Sequence, residues 1–254
     1  MLLDSKTLKY KPYRDSRYDT VEDFEGGFSG ELLLATALNG KKYLIKHSDM
    51  AFASNEFVAA KLATKMGLSV AKTYLLTPDK RLGSQYAVAI EFIEGLETFR
   101  SIKELSEREK EEAIAQISFS IMIDNVDFAQ LRRCNGKIMQ IDFAETFAMN
   151  SMFLKMAYEV KQAPMIAEFL NGCCKGFAEH VRMLDFDLSF MASDFDMDPG
   201  RINEIGISFV RRLLDVIEDD IAEIENELQE LYPPEYVANY VEDIHALQSR
   251  IRSL

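Results

Sequence analysis

The sequence predicts an α+β fold in two parts, a small antiparallel sheet with one helix followed by a larger, mainly helical region. Short apolar runs separated by turn signals fill residues 20–95, and this pattern is typical of antiparallel strands. One segment with helical spacing, residues 54–66, interrupts these runs. After residue 97 most apolar residues recur at helical spacing. We therefore expect a first domain over residues 1–95 and a second over residues 96–254.

Composition limits the classes of function. The chain has 254 residues, 48% of them hydrophobic, so it can bury a substantial core. The formal net charge of −13 opposes contact with nucleic-acid phosphates, so we expect no direct nucleic-acid binding. We expect a cytoplasmic protein without a membrane partner, because neither an apolar leader nor a run of about eighteen apolar residues occurs. Three cysteines and three scattered histidines favour reduced thiols over disulfides or a zinc site.

The first elements are strands. Residues 1–20 show no clear period and are interpreted as a peripheral lead-in to a strand over residues 20–24. Residues 31–38 and 42–46 form two apolar strands joined by an Asn-Gly pair, which is a strong hairpin signal.

A helix and two more strands complete the predicted first domain. Residues 54–66 form the helix, and Gly67 is a natural C-terminal stop. Residues 69–77 and 85–93 are the strands, separated by a segment rich in turn residues.

The second domain begins with a helix over residues 107–123. Ser106 and Glu109 have the spacing of a capping box at its start. Residues 130–134 and 137–141 predict a second hairpin with an Asn-Gly turn. Further helices follow, with breaks near residues 164, 171–172, 198–200 and 233–234.

Two acidic segments have plain structural interpretations. Residues 215–230 are interpreted as a solvated helix face rather than an interaction surface. Residues 194–200 alternate carboxylates as in a calcium loop, but Pro199 and Ile205 stand where an EF-hand needs glycine and glutamate. Asp198 capping a helix that starts at Pro199 explains the same residues.

Two carboxylates bracket the second hairpin in the order that phosphoryl transfer requires. Asp127 precedes the hairpin, and Asp142 follows it between Ile141 and Phe143. One carboxylate would orient the acceptor hydroxyl, and the other would bind magnesium on a nucleotide. The structural alternatives are a loop cap for Asp127 and a strand-end turn for Asp142. The second is weaker, because a carboxylate between apolar residues tends to be buried and must then be paired.

A glycine loop precedes the first predicted hairpin. Without side chains, glycines let backbone N–H groups approach phosphate oxygens, although a simple turn explains the same pattern. The loop consists of Gly26, Gly27, Phe28, Ser29 and Gly30.

Lys46 and Glu56 complete the order of parts found in a kinase. Lys46 ends a strand, and Glu56 lies in the helix that follows it. In kinases such a lysine contacts the nucleotide phosphates and a helix glutamate pairs with it. An exposed lysine and an Asn55-Glu56 capping pair are the alternatives. Taken with Asp127 and Asp142, the set favours a kinase that uses ATP and Mg²⁺.

Residues 20–150 resemble the HipA-like kinases, a branch of the protein-kinase-like fold related in active-site pattern to phosphatidylinositol 4-kinases. The resemblance rests on the glycine loop, Lys46, the Asn55-Glu56 helix, Asn125-Val126-Asp127 in place of His-Arg-Asp, and Ile141-Asp142-Phe143 with Phe147.

The resemblance implies a two-lobed protein-kinase-like fold that phosphorylates a serine or threonine of a protein substrate. It implies that Asp127 is the catalytic aspartate and Asp142 the magnesium ligand. It also implies autophosphorylation, for which Ser29 is the candidate. The hinge that takes the adenine would consist of Glu91, Phe92 and Ile93.

The segment between Asp127 and Asp142 departs from the kinase pattern. It is shortened, and Phe128-Ala129 replaces the Arg-His that usually follows the aspartate in the family. Arg132 stands where kinases place an asparagine as second metal ligand, so Asn125 or Gln130 would have to supply that oxygen. Two alternatives therefore stay open. One is a nucleotide-binding pseudokinase that acts through a regulatory protein partner. The other is a small-molecule or lipid kinase.

Overall fold

The structure is a computed structural model that describes residues 2–13, 32–83, 86–99, 101–123, 125, 129–144, 146–147 and 191–252. These residues contain eight strands and five α-helices, which confirms the predicted α+β class. The predicted strand over residues 20–24, the glycine loop, and the helix breaks near residues 164 and 171–172 lie outside the described residues.

Six strands form one sheet, with the spatial order β1-β5-β6-β4-β3-β2. Neighbouring strands are antiparallel, except that β1 and β5 are parallel. The strands are β1 (Leu2–Leu3), β2 (Lys9–Pro12), β3 (Leu32–Thr36), β4 (Lys42–Ser48), β5 (Thr73–Leu76) and β6 (Tyr86–Glu91).

The interpretation of residues 1–20 as a peripheral lead-in is wrong for residues 2–12, which supply both edge strands. Lys9 and Lys11 are exposed on β2, whereas Leu8 is 1% exposed and packs in a cluster with Ile45 and Leu76. The sequence did not reveal these strands, because an edge strand carries polar side chains on its exposed face and its apolar run is therefore interrupted.

β4 lies in the interior of the sheet and carries Lys46. The predicted β3–β4 hairpin is confirmed, with Lys46 opposite Leu32 on one side and Val88 of β6 on the other. Ile45, the preceding residue, is fully buried on the opposite face of the sheet. The backbone of Lys46 is therefore paired on both sides.

Helix α1 (Met50–Lys65) follows β4 and begins earlier than predicted. The Asp49 carboxylate accepts a hydrogen bond from the Phe52 N–H at 2.9 Å and caps the helix. Gly67, with φ +77°, ends it as expected. Asn55 and Glu56 therefore lie in the helix interior, and the interpretation of this pair as a cap is wrong.

Most of α1 is buried, including its polar residues. Its buried residues are Ala53, Ser54, Asn55, Glu56, Phe57, Val58, Ala59, Ala60, Leu62 and Ala63. Because buried polar side chains need partners, the partners of Asn55 and Glu56 locate the contacts that position the helix.

Helix α2 (Glu107–Met122) and a second hairpin follow. The capping box is confirmed, since the Ser106 hydroxyl accepts from the Glu109 N–H and the Glu109 carboxylate accepts from the Ser106 N–H. The hairpin of β7 (Gln130–Cys134) and β8 (Lys137–Ile141) is also confirmed. Its Asn135-Gly136 turn has φ of +50° and +70°, as a two-residue hairpin requires.

Three helices end the described chain: α3 (Ala192–Phe195), α4 (Pro199–Gln229) and α5 (Pro234–Arg252). Asp198 accepts a hydrogen bond from the Arg201 N–H at 3.0 Å, so it caps α4 as predicted. The predicted break near residues 233–234 separates α4 from α5. Among the described helices, none combines the length and apolar character that a membrane span requires.

The acidic tract of α4 is partly an internal contact. Lys65 of α1 lies 2.7 Å from Asp220 and 3.0 Å from Glu223, and Lys61 pairs with Glu223 and Glu227. The interpretation of residues 215–230 as a solvated face is therefore wrong for the side chains that face α1.

The largest hydrophobic cluster joins both predicted domains. It contains Phe57 of α1, Val88 of β6, Phe119 of α2, Leu213 of α4 and Val237 of α5. The helix α1 is thus packed against the sheet and against helices from the second half of the chain. The domain boundary near residue 95 stays a prediction.

We expect Ser106→Ala to lower the free energy of unfolding by about 1 kcal/mol, because the α2 cap loses its hydroxyl. Urea denaturation measures this change. Ser101→Ala is the matched control, since Ser101 caps an exposed 3₁₀ turn, and we expect about 0.5 kcal/mol or less there. Equal losses in the two variants would contradict the role assigned to the capping box.

Candidate active site

Lys46 lies at the centre of a three-residue cluster. Its Nζ is 2.9 Å from Glu56 Oε2 and 2.7 Å from Asp142 Oδ1. β4 supplies the lysine, α1 the glutamate, and the residue after β8 the aspartate. The Lys46 side chain is 13% exposed, so the interpretation of Lys46 as an ordinary exposed lysine is wrong.

Burial and charge act in opposite directions on this cluster. Burial alone would lower the pKa of the Lys46 ammonium, but the carboxylates of Glu56 and Asp142 raise that pKa above its ordinary value. Burial raises the pKa of the Glu56 carboxyl, while Lys46 and a backbone N–H partly offset this rise. Lys46 is therefore a permanent cation that the cluster requires.

Glu56 connects Lys46 to the residues after β8. Its Oε2 also accepts a hydrogen bond from the Phe143 N–H at 3.1 Å. The Glu56 side chain is only 3% exposed, so an ionised carboxylate there depends on these two donors. A single carboxylate thus fixes α1 relative to both β4 and the neighbour of Asp142.

Asp142 leaves the strand in a strained conformation. Its φ is +67°, a left-handed value that costs free energy for a residue with a Cβ atom. Its side chain is 29% exposed, far more than that of Glu56. The Asp142 carboxylate is therefore the member of the cluster that is most accessible to solvent.

A magnesium site fits these donors. Within the described residues, no group of three or more His, Cys, Asp or Glu side chains could hold a metal ion alone. Mg²⁺ does not need such a group, because it binds one or two carboxylates together with substrate phosphates. Asn125 is buried beside Asp142, with Nδ2 3.4 Å from the Asp142 carbonyl oxygen. The metal-ligand roles of Asp142 and Asn125 stay predictions.

Other predicted site residues lie outside the described part of the chain. These are Asp127 and the glycine loop of Gly26, Gly27, Phe28, Ser29 and Gly30. The loop belongs to residues 14–31, which connect β2 with β3. Asp127 belongs to the connection between α2 and β7.

The predicted adenine hinge, Glu91 to Ile93, lies at the end of β6. The Glu91 N–H donates to the Lys72 carbonyl at 2.8 Å, and the Phe92 N–H donates to the Lys42 carbonyl at 3.0 Å. Both N–H groups already donate to backbone carbonyl oxygens. An adenine would therefore need a different hydrogen-bond donor from this segment, or a local rearrangement of the backbone. The hinge role of Glu91, Phe92 and Ile93 stays a prediction.

Arg132 lies within a strand rather than in a catalytic loop. It pairs with Met139 in the β7–β8 hairpin, and its guanidinium donates to the Leu131 carbonyl at 2.8 Å. Since β7 already begins at Gln130, the kinase spacing from aspartate to metal-binding asparagine does not transfer to this chain.

Sequence reasoning missed the partners of Asn55. Its Nδ2 donates to the carbonyl oxygens of Ala144 and Thr146, at 3.0 Å and 2.8 Å, and its Oδ1 accepts from the Tyr240 hydroxyl at 2.8 Å. A signal was present, because Tyr232, Tyr236 and Tyr240 recur at helical spacing. That spacing indicates a packed face but does not identify what it packs against.

Comparison with known proteins supports the fold. No family model matches the sequence, and no curated protein is detectably similar to it. Among solved structures, the crystal structure of a Helicobacter pylori proinflammatory kinase, CtkA, has a TM-score of 0.50 with this chain at 14% identity. The match covers 92% of this chain and 91% of that one. The two-lobed, kinase-like α+β fold predicted from the sequence is thereby confirmed.

We expect Lys46→Met to make stability depend on pH. The variant leaves Glu56 buried without its cation, so the pKa of Glu56 rises further above that of the unfolded chain. Above about pH 4.3 the unfolded chain releases this proton while the folded variant retains it, so its free energy of unfolding falls with rising pH. We expect the deficit against wild type to grow from pH 4 to pH 8, reaching about 3 kcal/mol. Urea denaturation across this range measures it.

Lys61→Met is the matched control. The Lys61 side chain is 12% exposed, but its partners Glu223 and Glu227 are 51% and 17% exposed and remain partly hydrated. We expect a loss of about 1 kcal/mol or less that is complete by about pH 6 and constant above it, because Lys61, after Lys65, helps to hold the pKa of Glu223 below its ordinary value. Parallel pH profiles for the two variants would contradict the assigned dependence of Glu56 on Lys46.

Proposed function

We propose that this chain is an ATP-dependent kinase of HipA-like type, which transfers the γ-phosphoryl group to a serine or threonine hydroxyl of a protein. One observation carries the proposal. Lys46, Glu56 and Asp142 converge within hydrogen-bond distance from β4, α1 and the end of β8. In kinases, the lysine and the aspartate on these elements bind the nucleotide phosphates and the metal, and the helix glutamate pairs with the lysine.

Lys46 would bind the phosphates. An ammonium has three N–H donors, and Glu56 and Asp142 accept two of them. The third would donate to a phosphate oxygen. On nucleotide binding, Asp142 can turn toward the metal while the more deeply buried Glu56 remains paired with Lys46. A bidentate or planar donor is not needed, because lysine acts on phosphate as a point charge.

Asp142 and the side-chain oxygen of Asn125 would hold Mg²⁺. When bound, the metal neutralises the phosphate oxygens and aligns the γ-phosphoryl group. Glu56 helps to position Asp142, because it accepts a hydrogen bond from the N–H of the next residue, Phe143.

The sequence position of Asp127 supports its role as the residue that orients the acceptor. The acceptor oxygen would form a bond to the γ-phosphorus as the bond to the β-γ bridging oxygen breaks. ADP would leave, and the hydroxyl proton would pass to Asp127. The glycine loop, residues 26–30, would cover the phosphates, and Ser29 within it is a candidate for autophosphorylation.

A second candidate function is a nucleotide-binding pseudokinase that acts through a regulatory protein partner. The placement of Arg132 in β7, with its guanidinium bonded to the Leu131 carbonyl, favours it. Because β7 begins at Gln130, three positions after Asp127, a strand stands where kinases carry the loop with the second metal ligand.

We expect purified protein with γ-labelled ATP and Mg²⁺ to become labelled on serine or threonine, in itself or in an added protein substrate. Asp127→Ala and Asp142→Ala should each reduce labelling by at least about 100-fold, because positioning and charge neutralisation are lost. Phosphoamino-acid analysis and filter-bound radioactivity measure the transfer. Asp198→Ala is the control, since Asp198 caps α4, and its labelling should match wild type.

Other outcomes of this experiment separate the alternatives. Thermal stabilisation by ATP and Mg²⁺ without transfer would favour the pseudokinase. Label that appears only on an added metabolite or lipid would favour a small-molecule or lipid kinase. A melting temperature that ATP and Mg²⁺ leave unchanged would overturn the proposal of a nucleotide site.

A further inference from the structure

A chain of hydrogen bonds connects the last helix to the residues that follow Asp142. We name residues 142–144 and 146–147 the Asp142 segment. The Tyr240 hydroxyl of α5 donates to Asn55 Oδ1 at 2.8 Å. The same Asn55 donates through Nδ2 to Ala144 O at 3.0 Å and to Thr146 O at 2.8 Å. Asn55 thus forms hydrogen bonds with both α5 and the Asp142 segment.

Burial makes each of these hydrogen bonds necessary. Tyr240, Asn55 and Thr146 are 7%, 5% and 1% exposed. A buried side-chain amide must match each end to a partner of the right kind, because an unsatisfied polar atom there is costly. The Tyr240 O–H can donate to Oδ1 but not accept from it, so it directs Nδ2 toward the two carbonyl oxygens.

The Asp142 segment needs such external restraint. It begins and ends with left-handed residues, Asp142 at φ +67° and Phe147 at φ +56°. Such conformations persist for residues with a Cβ atom only where their surroundings enforce them. Two adjacent residues of α1 provide this, since Glu56 accepts the Phe143 N–H and Asn55 donates to the carbonyls beyond it.

We propose that Tyr240 is a positioning residue for the metal-binding Asp142 segment and acts through Asn55. This inference rests on the proposed function, because it concerns the metal ligand of that site. Tyr240 also packs against Phe147 with ring centroids 5.8 Å apart, so removal of the hydroxyl alone leaves the aromatic contact in place.

A second tyrosine of α5 provides a matched comparison. Tyr236 lies one turn earlier, and its hydroxyl forms a hydrogen bond of 2.5 Å with the Ser54 hydroxyl of α1. Ser54 otherwise contacts the carbonyl oxygens of Met50 and Ala51 within its own helix. Tyr236→Phe therefore removes an equivalent buried hydroxyl between the same two helices without touching the Asp142 segment.

The first measurement is amide hydrogen exchange in the protein without nucleotide. The reporters are the Phe143 N–H, bonded to Glu56, and the Phe147 N–H, bonded to the Ile123 carbonyl at 2.6 Å. We expect Tyr240→Phe to accelerate their exchange about fivefold. Tyr236→Phe should leave both rates within about twofold of wild type.

The second measurement is the Mg²⁺ concentration that gives half of the maximal thermal stabilisation by ATP. We expect Tyr240→Phe to raise it about tenfold, because outer partners of metal ligands orient them. Tyr236→Phe should not change it. In an Asn55→Ala background, Tyr240→Phe should cause no further change, since the residue it acts through is gone.

The outcomes separate this inference from the proposed function. If ATP and Mg²⁺ stabilise wild type but Tyr240→Phe and Tyr236→Phe behave alike in both measurements, the positioning role is overturned. The same holds if Tyr240→Phe has its full effect in the Asn55→Ala background. If wild type gains no stability from ATP and Mg²⁺, the proposed function is overturned, and the metal-related role of Tyr240 with it.

Discussion

A buried ammonium group between two carboxylates is the constraint on which the rest of the structure depends. The backbone of Lys46 is hydrogen-bonded to strands on both sides. Its ammonium group is largely buried and therefore requires carboxylate partners. Glu56 and Asp142 satisfy it, so α1 and the end of β8 must meet at β4. Two consecutive elements, β4 and α1, thereby share one point with the end of β8, which lies 96 residues beyond Lys46. The proposed triphosphate and its metal would bind at that point.

The helices α4 and α5 hold α1, which carries Glu56, in place. Lys61 and Lys65 connect α1 to the acidic side of α4, and two tyrosines of α5 form hydrogen bonds with Ser54 and Asn55. Within the described residues, α1 is thus enclosed between the sheet and both helices.

Local chemistry explains which features could be predicted. The Ser106 capping box and the Asp198 cap need only residues near one another in sequence, and both are confirmed. The convergence of Lys46, Glu56 and Asp142 was predictable, because their order along the chain matches the phosphate-binding lysine, its glutamate partner and the metal-binding aspartate of kinases. The strands of residues 2–12 and the Tyr240–Asn55 bond were not, since each depends on packing against distant segments. The roles of Asp127 and the glycine loop stay predictions.

The most direct test of the central claim is a crystal structure of the protein with Mg²⁺ and a non-hydrolysable ATP analogue. We predict that Lys46 Nζ keeps its contact with Glu56 and binds a phosphate oxygen, while the Asp142 carboxylate leaves Lys46 and coordinates the metal. A nucleotide bound at another surface, with Lys46 still paired to both Glu56 and Asp142, would contradict the assignment of this cluster as the phosphate site.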